Sequence, residues 1–247
     1  MVPALSVQGV QKRFGAIVAA SDICVDVPQG QKVSLIGSNG AGKTTFVNLV
    51  TGYLKPDQGR IRLEGQDITR NGPRQIARLG ICRSFQIPQL CPELTALENM
   101  IAAVAAAAPA MSFWRHAERD HADRARELLG RFDLLPHADR LVKVLPGGVR
   151  KLLDIAMALA RHPKVLLLDE PTSGVAAEEK FATMDRIMAA VGQEATTILF
   201  VEHDMDIVSG YADRVLAFYS GRVIGDGKPG DVLASADVKR YVTGGAE

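Results

Sequence analysis

This chain of 247 residues has few cysteines, few aromatic residues and almost no net charge. The three cysteines, Cys24, Cys82 and Cys91, are odd in number and lack close paired spacing, which favours reduced thiols over a disulfide framework or a zinc site. A formal net charge of +1 predicts no strong attraction to nucleic acid or other polyanions. With 47% hydrophobic residues, the chain can nevertheless bury a full core.

Long hydrophobic runs are also missing. The most apolar run, residues 100–108, stops at Pro109 and is too short to cross a bilayer. No amino-terminal segment has the basic, apolar and small-residue order of a signal peptide. We therefore expect a cytoplasmic protein that gains any membrane role through a partner.

A glycine-rich segment lies between a predicted strand at 32–36 and a predicted helix at 45–50, which Gly52 ends. Glycines let backbone N–H groups close around phosphate oxygens, and the helix N-terminus adds a partial positive charge. This spacing predicts a P-loop, with Lys43 at the β- and γ-phosphates of a nucleotide and Thr44 as a Mg²⁺ ligand. The predicted phosphate-binding residues are Gly37, Ser38, Asn39, Gly40, Ala41, Gly42, Lys43, Thr44 and Thr45.

Two adjacent carboxylates follow a second apolar strand, residues 164–168. A buried strand that ends in Asp169 and Glu170 places both at the carboxyl edge of a sheet, where α/β proteins bind ligands. Asp169 is suited to anchoring Mg²⁺, and Glu170 to polarising an attacking water. Considered without the P-loop, the two carboxylates could instead belong to a solvated acidic turn that ends the strand.

The predicted type of secondary structure changes twice along the chain. Strand-like segments with glycine turns give way to an alanine-rich helical middle at 95–161, which includes one predicted helix with an apolar face. Strand and helix alternation then returns after Pro163, with 165–168 and 197–201 as buried parallel strands. We predict a core of 1–88 and 161–247 with an inserted helical subdomain at 89–160. The early strand candidates are 5–10, 23–27, 33–36 and 61–63, and the predicted helix face is Ala122, Ala125, Leu128, Leu129 and Phe132.

Taken together, these motifs resemble those of the ATP-binding cassette (ABC) transporter ATPases, over nearly the whole chain. The P-loop, Gln86 after Arg83-Ser84-Phe85, the Gly147-Gly148 pair, the Asp-Glu strand and His203 after Val201-Glu202 occur in the order of that family. The strings "GSNGAGKTTFVNLVTGYLKPDQGRIRLEGQDIT", "IARLGICRSFQ" and "VEHDM" are most similar to the LivG type of branched-chain amino acid importer ATPase. ATPases for lipid or lipopolysaccharide transport share much of this pattern.

The resemblance implies a single ABC ATPase domain over 1–247, in the α/β class, with a RecA-like P-loop NTPase core, an antiparallel β edge and an inserted helical subdomain. It implies ATP and Mg²⁺ as cofactors and hydrolysis that drives solute import. The implied partners are integral membrane permease subunits, a second ATP-binding subunit and, indirectly, a periplasmic solute-binding protein, with no nucleic acid. The implied location is the inner face of the cell membrane, as a peripheral cytoplasmic subunit.

The resemblance also assigns roles to single residues. Phe14 would stack on adenine, with a core phenylalanine as the alternative. Gln86 would lie on a loop that links Mg²⁺ and water to the membrane subunit, with a solvated glutamine as the alternative. His203 would contact the γ-phosphate, with a satisfied core histidine as the alternative. Gly147 and Gly148 would contact ATP bound to the opposite subunit of a head-to-tail dimer. No role follows for His116, His121, His137 and His162, expected at surface or helix positions, or for Trp114, expected to pack or meet a partner.

Two segments depart from the family pattern. Where the family has Leu-Ser-Gly-Gly-Gln, this chain has Pro146 and Val149 in place of the serine and glutamine, so a hydroxyl and an amide are missing. Pro146 is compatible with a position in the first turn of the following helix. Ala176 stands where the dimer-contacting loop commonly carries Asp or Asn. These changes favour a heterodimer with a sister ATPase that has an intact Leu-Ser-Gly-Gly-Gln segment, the signature of the family. A homodimer is the alternative.

Two rival functions belong to other classes. A soluble ABC ATPase that acts on nucleic acid or ribosomes would be favoured by a tandem second cassette, a coiled-coil insertion or a basic patch, and the sequence shows none of these. A regulatory nucleotide-binding module that does not hydrolyse ATP has only the altered signature in its favour.

Overall fold

The computed structural model describes residues 2–108, 117–192 and 195–244. Its chain folds into two β-sheets with helices packed around them. The strands are β1 (Leu5–Phe14), β2 (Ile17–Val27), β3 (Lys32–Ile36), β4 (Gln58–Leu63), β5 (Gln66–Asp67), β6 (Ile81–Ser84), β7 (Val165–Asp169), β8 (Thr197–Val201), β9 (Arg214–Tyr219) and β10 (Arg222–Gly227). The helices are α1 (Lys43–Val50), α2 (Pro73–Leu79), α3 (Ala96–Ala107), α4 (Ala117–Arg131), α5 (Gly147–Leu159), α6 (Lys180–Val191), α7 (Met205–Tyr211), α8 (Pro229–Ala234) and α9 (Ala236–Val238).

The larger sheet has the order β10-β9-β3-β8-β7-β6. Every neighbouring pair is parallel except β10 and β9, so an antiparallel strand closes one edge. The central strand β8 is buried at every position, because helices cover both faces of a parallel sheet. Its neighbours β3 and β7 place the ends of three strands side by side at one edge.

The smaller sheet is antiparallel, with the order β2-β1-β4-β5. Strands β1 and β2 are longer than the predicted 5–10 and 23–27, because their outer residues pair across the hairpin at Phe14 and Ile17. Those outer residues are largely exposed, so their strand pairing leaves no hydrophobic alternation in the sequence. The strand predicted at 61–63 is also extended, since β4 begins at Gln58.

The core lies on the two faces of the larger sheet. One cluster joins α1 to the smaller sheet and includes Phe46 and Phe218, whose ring centroids are 5.4 Å apart. The other joins helices α3 to α6 to the opposite face and includes Phe132 and Phe200. The predicted face of α4 is confirmed, since Ala125, Leu128, Leu129 and Phe132 are fully buried and Ala122 is partly buried.

Helices α3, α4 and α5 occupy the chain between β6 and β7. The start of α3 is fixed by a capping box, in which Thr95 Oγ1 accepts a bond from the Glu98 N–H and the Glu98 carboxylate accepts one from the Thr95 N–H. The division into a core and a helical subdomain at 89–160 stays a prediction. Trp114 and His116 lie outside the described residues, and no helix of the described ranges is long and apolar enough to cross a membrane.

Candidate functional site

A cavity of about 430 Å³ opens at the carboxyl edge of the larger sheet. It is lined by the loop between β3 and α1 and by residues that follow β6, β7 and β8. The P-loop is there, together with Gln86, Asp169, Glu170 and His203, so the fold brings these predicted site residues to one place.

The P-loop backbone has a conformation that only glycine accommodates at two positions. Gly42 has a φ of 110°, and a Cβ there would lie 2.9 Å from the Ala19 carbonyl oxygen. A Cβ on Gly37 would lie 2.6 Å from the Phe218 carbonyl oxygen. Any side chain at either position would push the loop away from its neighbours, so these glycines set the shape of the phosphate cradle.

Lys43 is the first residue of α1, and its ammonium is buried in the P-loop. Nζ donates to the carbonyl oxygens of Gly37 at 2.5 Å and Ser38 at 3.2 Å. Burial lowers the pKa of Lys43, while the nearby charges of Glu170 and Asp169 act against that shift. The next residue, Thr44, is exposed and lines the cavity, so its hydroxyl is accessible to a ligand.

Glu170 lies between the two other polar groups predicted for catalysis. The Gln86 amide donates from Nε2 to Glu170 Oε2 at 2.9 Å, and His203 Nε2 lies 3.4 Å from Glu170 Oε1. Glu170 has a φ of 47°, a left-handed conformation that is strained for a residue with a side chain. Three predicted catalytic side chains therefore meet at one carboxylate.

This arrangement decides one of the alternatives left open by the sequence. The His203 side chain is 48% exposed, so a satisfied core histidine is wrong. Gln86 bonds Glu170 but is itself exposed, so its role in the site stays a prediction.

Arg83 is a member of this site that the sequence reasoning missed. It lies on β6, next to β7, and Nη2 donates to Asp169 Oδ2 at 2.5 Å. Nη1 donates to Asn48 Oδ1 on α1 at 2.7 Å. The guanidinium therefore joins the acidic strand end to the P-loop helix. A positive charge within the short buried strand β6 was the available signal, because such a charge requires a partner.

Glu202 is a second missed residue, and it is only 4% exposed. Its Oε1 accepts bonds from the Thr172 N–H at 3.0 Å and the Thr172 hydroxyl at 2.7 Å. Its Oε2 accepts a bond from the His203 N–H at 3.2 Å. One buried carboxylate therefore ties the loop after Glu170 to the residue that carries the imidazole.

The Gly147-Gly148 pair is not part of the P-loop cavity. Gly147 lines a separate cavity of about 280 Å³, which also reaches Gln86 and Ser173. Pro146 is the N-cap of α5 rather than a first-turn residue, because its φ of −56° combines with an extended ψ of 152°. Its carbonyl accepts the first helical bond, from the Arg150 N–H at 3.0 Å. Pro146 therefore lies one residue before the first turn of α5, with which its residue type is also compatible.

Phe14 lies at the tip of the β1–β2 hairpin and is 47% exposed, so the core alternative is wrong. Lys12 Nζ lies over its ring, 5.6 Å from the centroid. The hairpin residues that line the cavity are Ile17, Val18 and Ala19. Adenine stacking by Phe14 stays a prediction.

The donor set of the cavity fits Mg²⁺. The Thr44 hydroxyl, the Asp169 carboxylate and the Gln86 amide oxygen are hard oxygen donors, which Mg²⁺ prefers. Within the described ranges, no group of three His, Cys, Asp or Glu side chains could hold a metal ion. A magnesium ion here would therefore need phosphate oxygens and water to complete its shell, as in other sites that bind it together with a nucleotide.

Comparison with known proteins identifies the family of this chain. A model of the family described as "ABC transporter" matches residues 20–173, which include the P-loop, Gln86 and Glu170. The chain belongs to the ABC transporter family. The expected α/β cassette fold and nucleotide as its ligand are confirmed, and a cassette of this family is the ATPase subunit of a transporter complex.

The relatives of this cassette cover its whole length. It is 36% identical to the high-affinity branched-chain amino acid transport ATP-binding protein LivG of Escherichia coli, over 99% of each chain. It is 34% identical to the corresponding BraF of Pseudomonas aeruginosa, again over 99% of each chain. The ADP conformation of MJ1267, an ATP-binding cassette of an ABC transporter, superposes with a TM-score of 0.86 and 31% identity, over 97% of this chain and 98% of that one.

Proposed function

We propose that this cassette binds and hydrolyses ATP to power import of a branched-chain or related amino acid through separate permease subunits. The observation that carries the hydrolysis step is the contact of Glu170 with both Gln86 and His203 beside the P-loop. Full-length similarity to LivG and BraF supports the solute class.

Each polar side chain of the cavity has a chemical task in this proposal. Lys43 exchanges its bonds to the Gly37 and Ser38 carbonyls for bonds to phosphate oxygens. Glu170 orients the attacking water and accepts its proton. His203 donates to the γ-phosphate as negative charge builds there. Mg²⁺, when bound with the nucleotide, would be held by Thr44 and Asp169, with Gln86 nearby, and would neutralise phosphate charge.

The second nucleotide contact comes from another subunit in this proposal. Gly147 and Gly148 begin α5 with open space at Gly147, so a partner's phosphate can approach backbone N–H groups there. A dimeric arrangement has a precedent in the post-hydrolysis structure of the cassette MJ0796 bound to ADP and Pi, with a TM-score of 0.78 and 26% identity over 91% of this chain. The missing donors at Pro146 and Val149 support a sister ATPase as the partner.

The permease subunit binds, in this proposal, in a groove of about 410 Å³ between α2 and α5. Phe85 lines both this groove and the nucleotide cavity, and the next residue is Gln86. Tyr53 is exposed in the groove, with its ring edge-on to Phe85. A membrane segment that displaces Phe85 would therefore move Gln86 relative to Glu170.

Reconstitution in lipid vesicles tests the proposal. The cassette, its sister ATPase and the permease subunits are assembled with the solute-binding protein, and uptake of radiolabelled leucine is measured with ATP. We expect uptake that depends on ATP and stops with Glu170→Gln. Hydrolysis without leucine uptake, with transport of lipid instead, would reject the amino acid assignment. No hydrolysis by any assembly would reject the enzymatic proposal.

A further inference from the structure

Two opposite charges of α5 are buried beneath the loop that carries Gln86. Lys151 is 3% exposed and Asp154 is 6% exposed. They are three residues apart, so they lie on the same face of the helix. That face meets residues 85–89, which we call the glutamine loop, and the end of β7.

The Lys151 ammonium joins the glutamine loop to the acidic strand end. Nζ donates to the Phe85 carbonyl at 2.8 Å and to the Asp169 carbonyl at 2.7 Å, with a longer contact of 3.4 Å to the Gln86 carbonyl. The Asp169 carbonyl belongs to the peptide that leads directly into Glu170. One cation therefore holds the backbone beside Gln86 and the backbone beside Glu170 at the same time.

The Asp154 carboxylate holds the same loop through its donors. Oδ2 accepts a bond from the Phe85 N–H at 3.0 Å, and Oδ1 accepts one from the Gln89 N–H at 3.1 Å. Both ends of the glutamine loop are therefore fixed to α5. Burial raises the pKa of Asp154, although these two bonds and the charge of Lys151 act against the shift.

A buried pair of this kind is expensive, because each charge loses its hydration. Lys151 has its pKa lowered by burial, against the nearby carboxylates. An apolar pair would fill the same space without this cost, but it could not hold backbone N–H and carbonyl groups in position. The geometry therefore points to a role in orientation.

We propose that Lys151 and Asp154 are positioning residues for ATP hydrolysis, which couple the helix that begins at Gly147 to the contact between Gln86 and Glu170. This inference rests on the proposed hydrolytic function and adds residues to it. Movement of α5, when its start meets a partner's nucleotide, is carried by these two side chains to the glutamine loop. Gln86 Nε2 then donates to Glu170 Oε2 only when α5 holds the glutamine loop in the position described above.

Rate measurements with matched variants test this coupling. Lys151→Met and Asp154→Asn keep the approximate shapes of the side chains, and Lys164→Met is the control, since Lys164 forms an exposed ion pair with Glu64. We expect ATP affinity of the dilute chain to remain unchanged and single-turnover hydrolysis in the assembled dimer to fall by about 10²-fold, as for a misplaced catalytic group. The control should match the wild type. A fall in ATP affinity as large as the fall in rate would overturn the proposal.

A double-mutant cycle then asks whether the pair acts through Gln86. Residues that act through one another are not additive, so Asp154→Asn should cost less than about threefold once Gln86→Ala is already present. An equal loss in both backgrounds would mean that the pair acts independently of Gln86, and the proposal would be wrong.

Hydrogen exchange gives a readout that does not depend on activity. In Asp154→Asn, at least one of the amides of Phe85 and Gln89 should lose protection, because asparagine keeps only one acceptor oxygen, while amides of β8 should keep it. Unchanged protection at both amides would overturn the proposal, even if Lys151→Met fails to fold. If the wild-type cassette hydrolyses no ATP in any assembly, the proposed function fails, and the exchange experiment still decides whether this pair fixes the loop.

Discussion

The two halves of the proposed nucleotide site, the P-loop and the signature half at the start of α5, differ in how they present hydrogen-bond donors. In the P-loop half, two side-chain donors, the Lys43 ammonium and the Thr44 hydroxyl, line one cavity. In the signature half, Pro146 and Val149 supply no side-chain donor, and the backbone N–H groups at the start of α5 remain. Yet the helix behind this half is fixed by buried charges. The signature half therefore lacks two side-chain donors that the family pattern has, while buried charges still hold its helix in position.

The largest effect should come from the catalytic end of the P-loop half. Glu170→Gln removes the proposed base that accepts the proton from water but keeps a side chain of the same shape, so hydrolysis should fall by about 10²- to 10⁴-fold. ATP binding should be retained. Single-turnover hydrolysis and nucleotide titration measure the two effects separately. A rate within a few-fold of wild type would contradict the assignment of Glu170.

Removal of the P-loop cation tests the same half at the binding step. Lys43→Ala should weaken ATP binding by about 10²-fold, because charge-assisted bonds to phosphate oxygens are lost. Lys32→Ala, on the neighbouring strand β3, is the control and should bind normally. Circular dichroism should be unchanged in both variants. Unaltered affinity in Lys43→Ala would remove this lysine from the mechanism.

Restoring the donors of the signature half should reduce the difference between the two halves. Pro146→Ser with Val149→Gln adds a hydroxyl and an amide, and hydrolysis should rise by roughly ten- to a hundred-fold if one charge-assisted bond forms in the transition state. Serine at the N-cap also stabilises α5, so thermal stability is measured alongside.

This gain has to depend on the partner. It should appear in the assembled dimer, disappear in dilute monomer and vanish when the partner's P-loop lysine is replaced. Equal activity of the wild type and the double variant at saturating ATP would show that Gly147, Gly148 and the helix terminus suffice, and the argument for a heterodimer would lose its support.

The smallest effect concerns the adenine end of the P-loop half. If Phe14 stacks on the base, Phe14→Ala should weaken ATP binding by about two- to twelve-fold, since such a contact contributes about 0.5 to 1.5 kcal/mol. Affinity for inorganic triphosphate should not change. If Val18→Ala weakens ATP binding and Phe14→Ala does not, the base lies against the Val18 side of the hairpin, which lines the cavity.

The sequence was sufficient to predict the features that consecutive residues form. The P-loop and the Asp169-Glu170 strand end were predicted because a strand, a turn and a helix follow one another along the chain. Arg83 and Glu202 were missed because their partners, Asp169 and Thr172, come from distant segments. A charged residue in an apolar stretch shows that a partner exists but not which one.

Backbone partners are still harder to predict from sequence. Lys151 and Asp154 bond carbonyl and N–H groups, which every residue carries, so no residue type marks the contact. The exact position of Pro146 is left open by the sequence for a related reason, since Pro suits both an N-cap and a first turn and only its ψ distinguishes them.

The positive φ of Glu170 also has a consequence for how this position evolves. A left-handed conformation costs a residue with a side chain about 1 kcal/mol or more, and glycine avoids that cost. Because glycine also loses more freedom on folding, Glu170→Gly should unfold near the temperature of the wild type although it lacks the proposed catalytic carboxylate. Selection for stability alone would therefore tolerate this loss, and only selection for transport would retain the carboxylate.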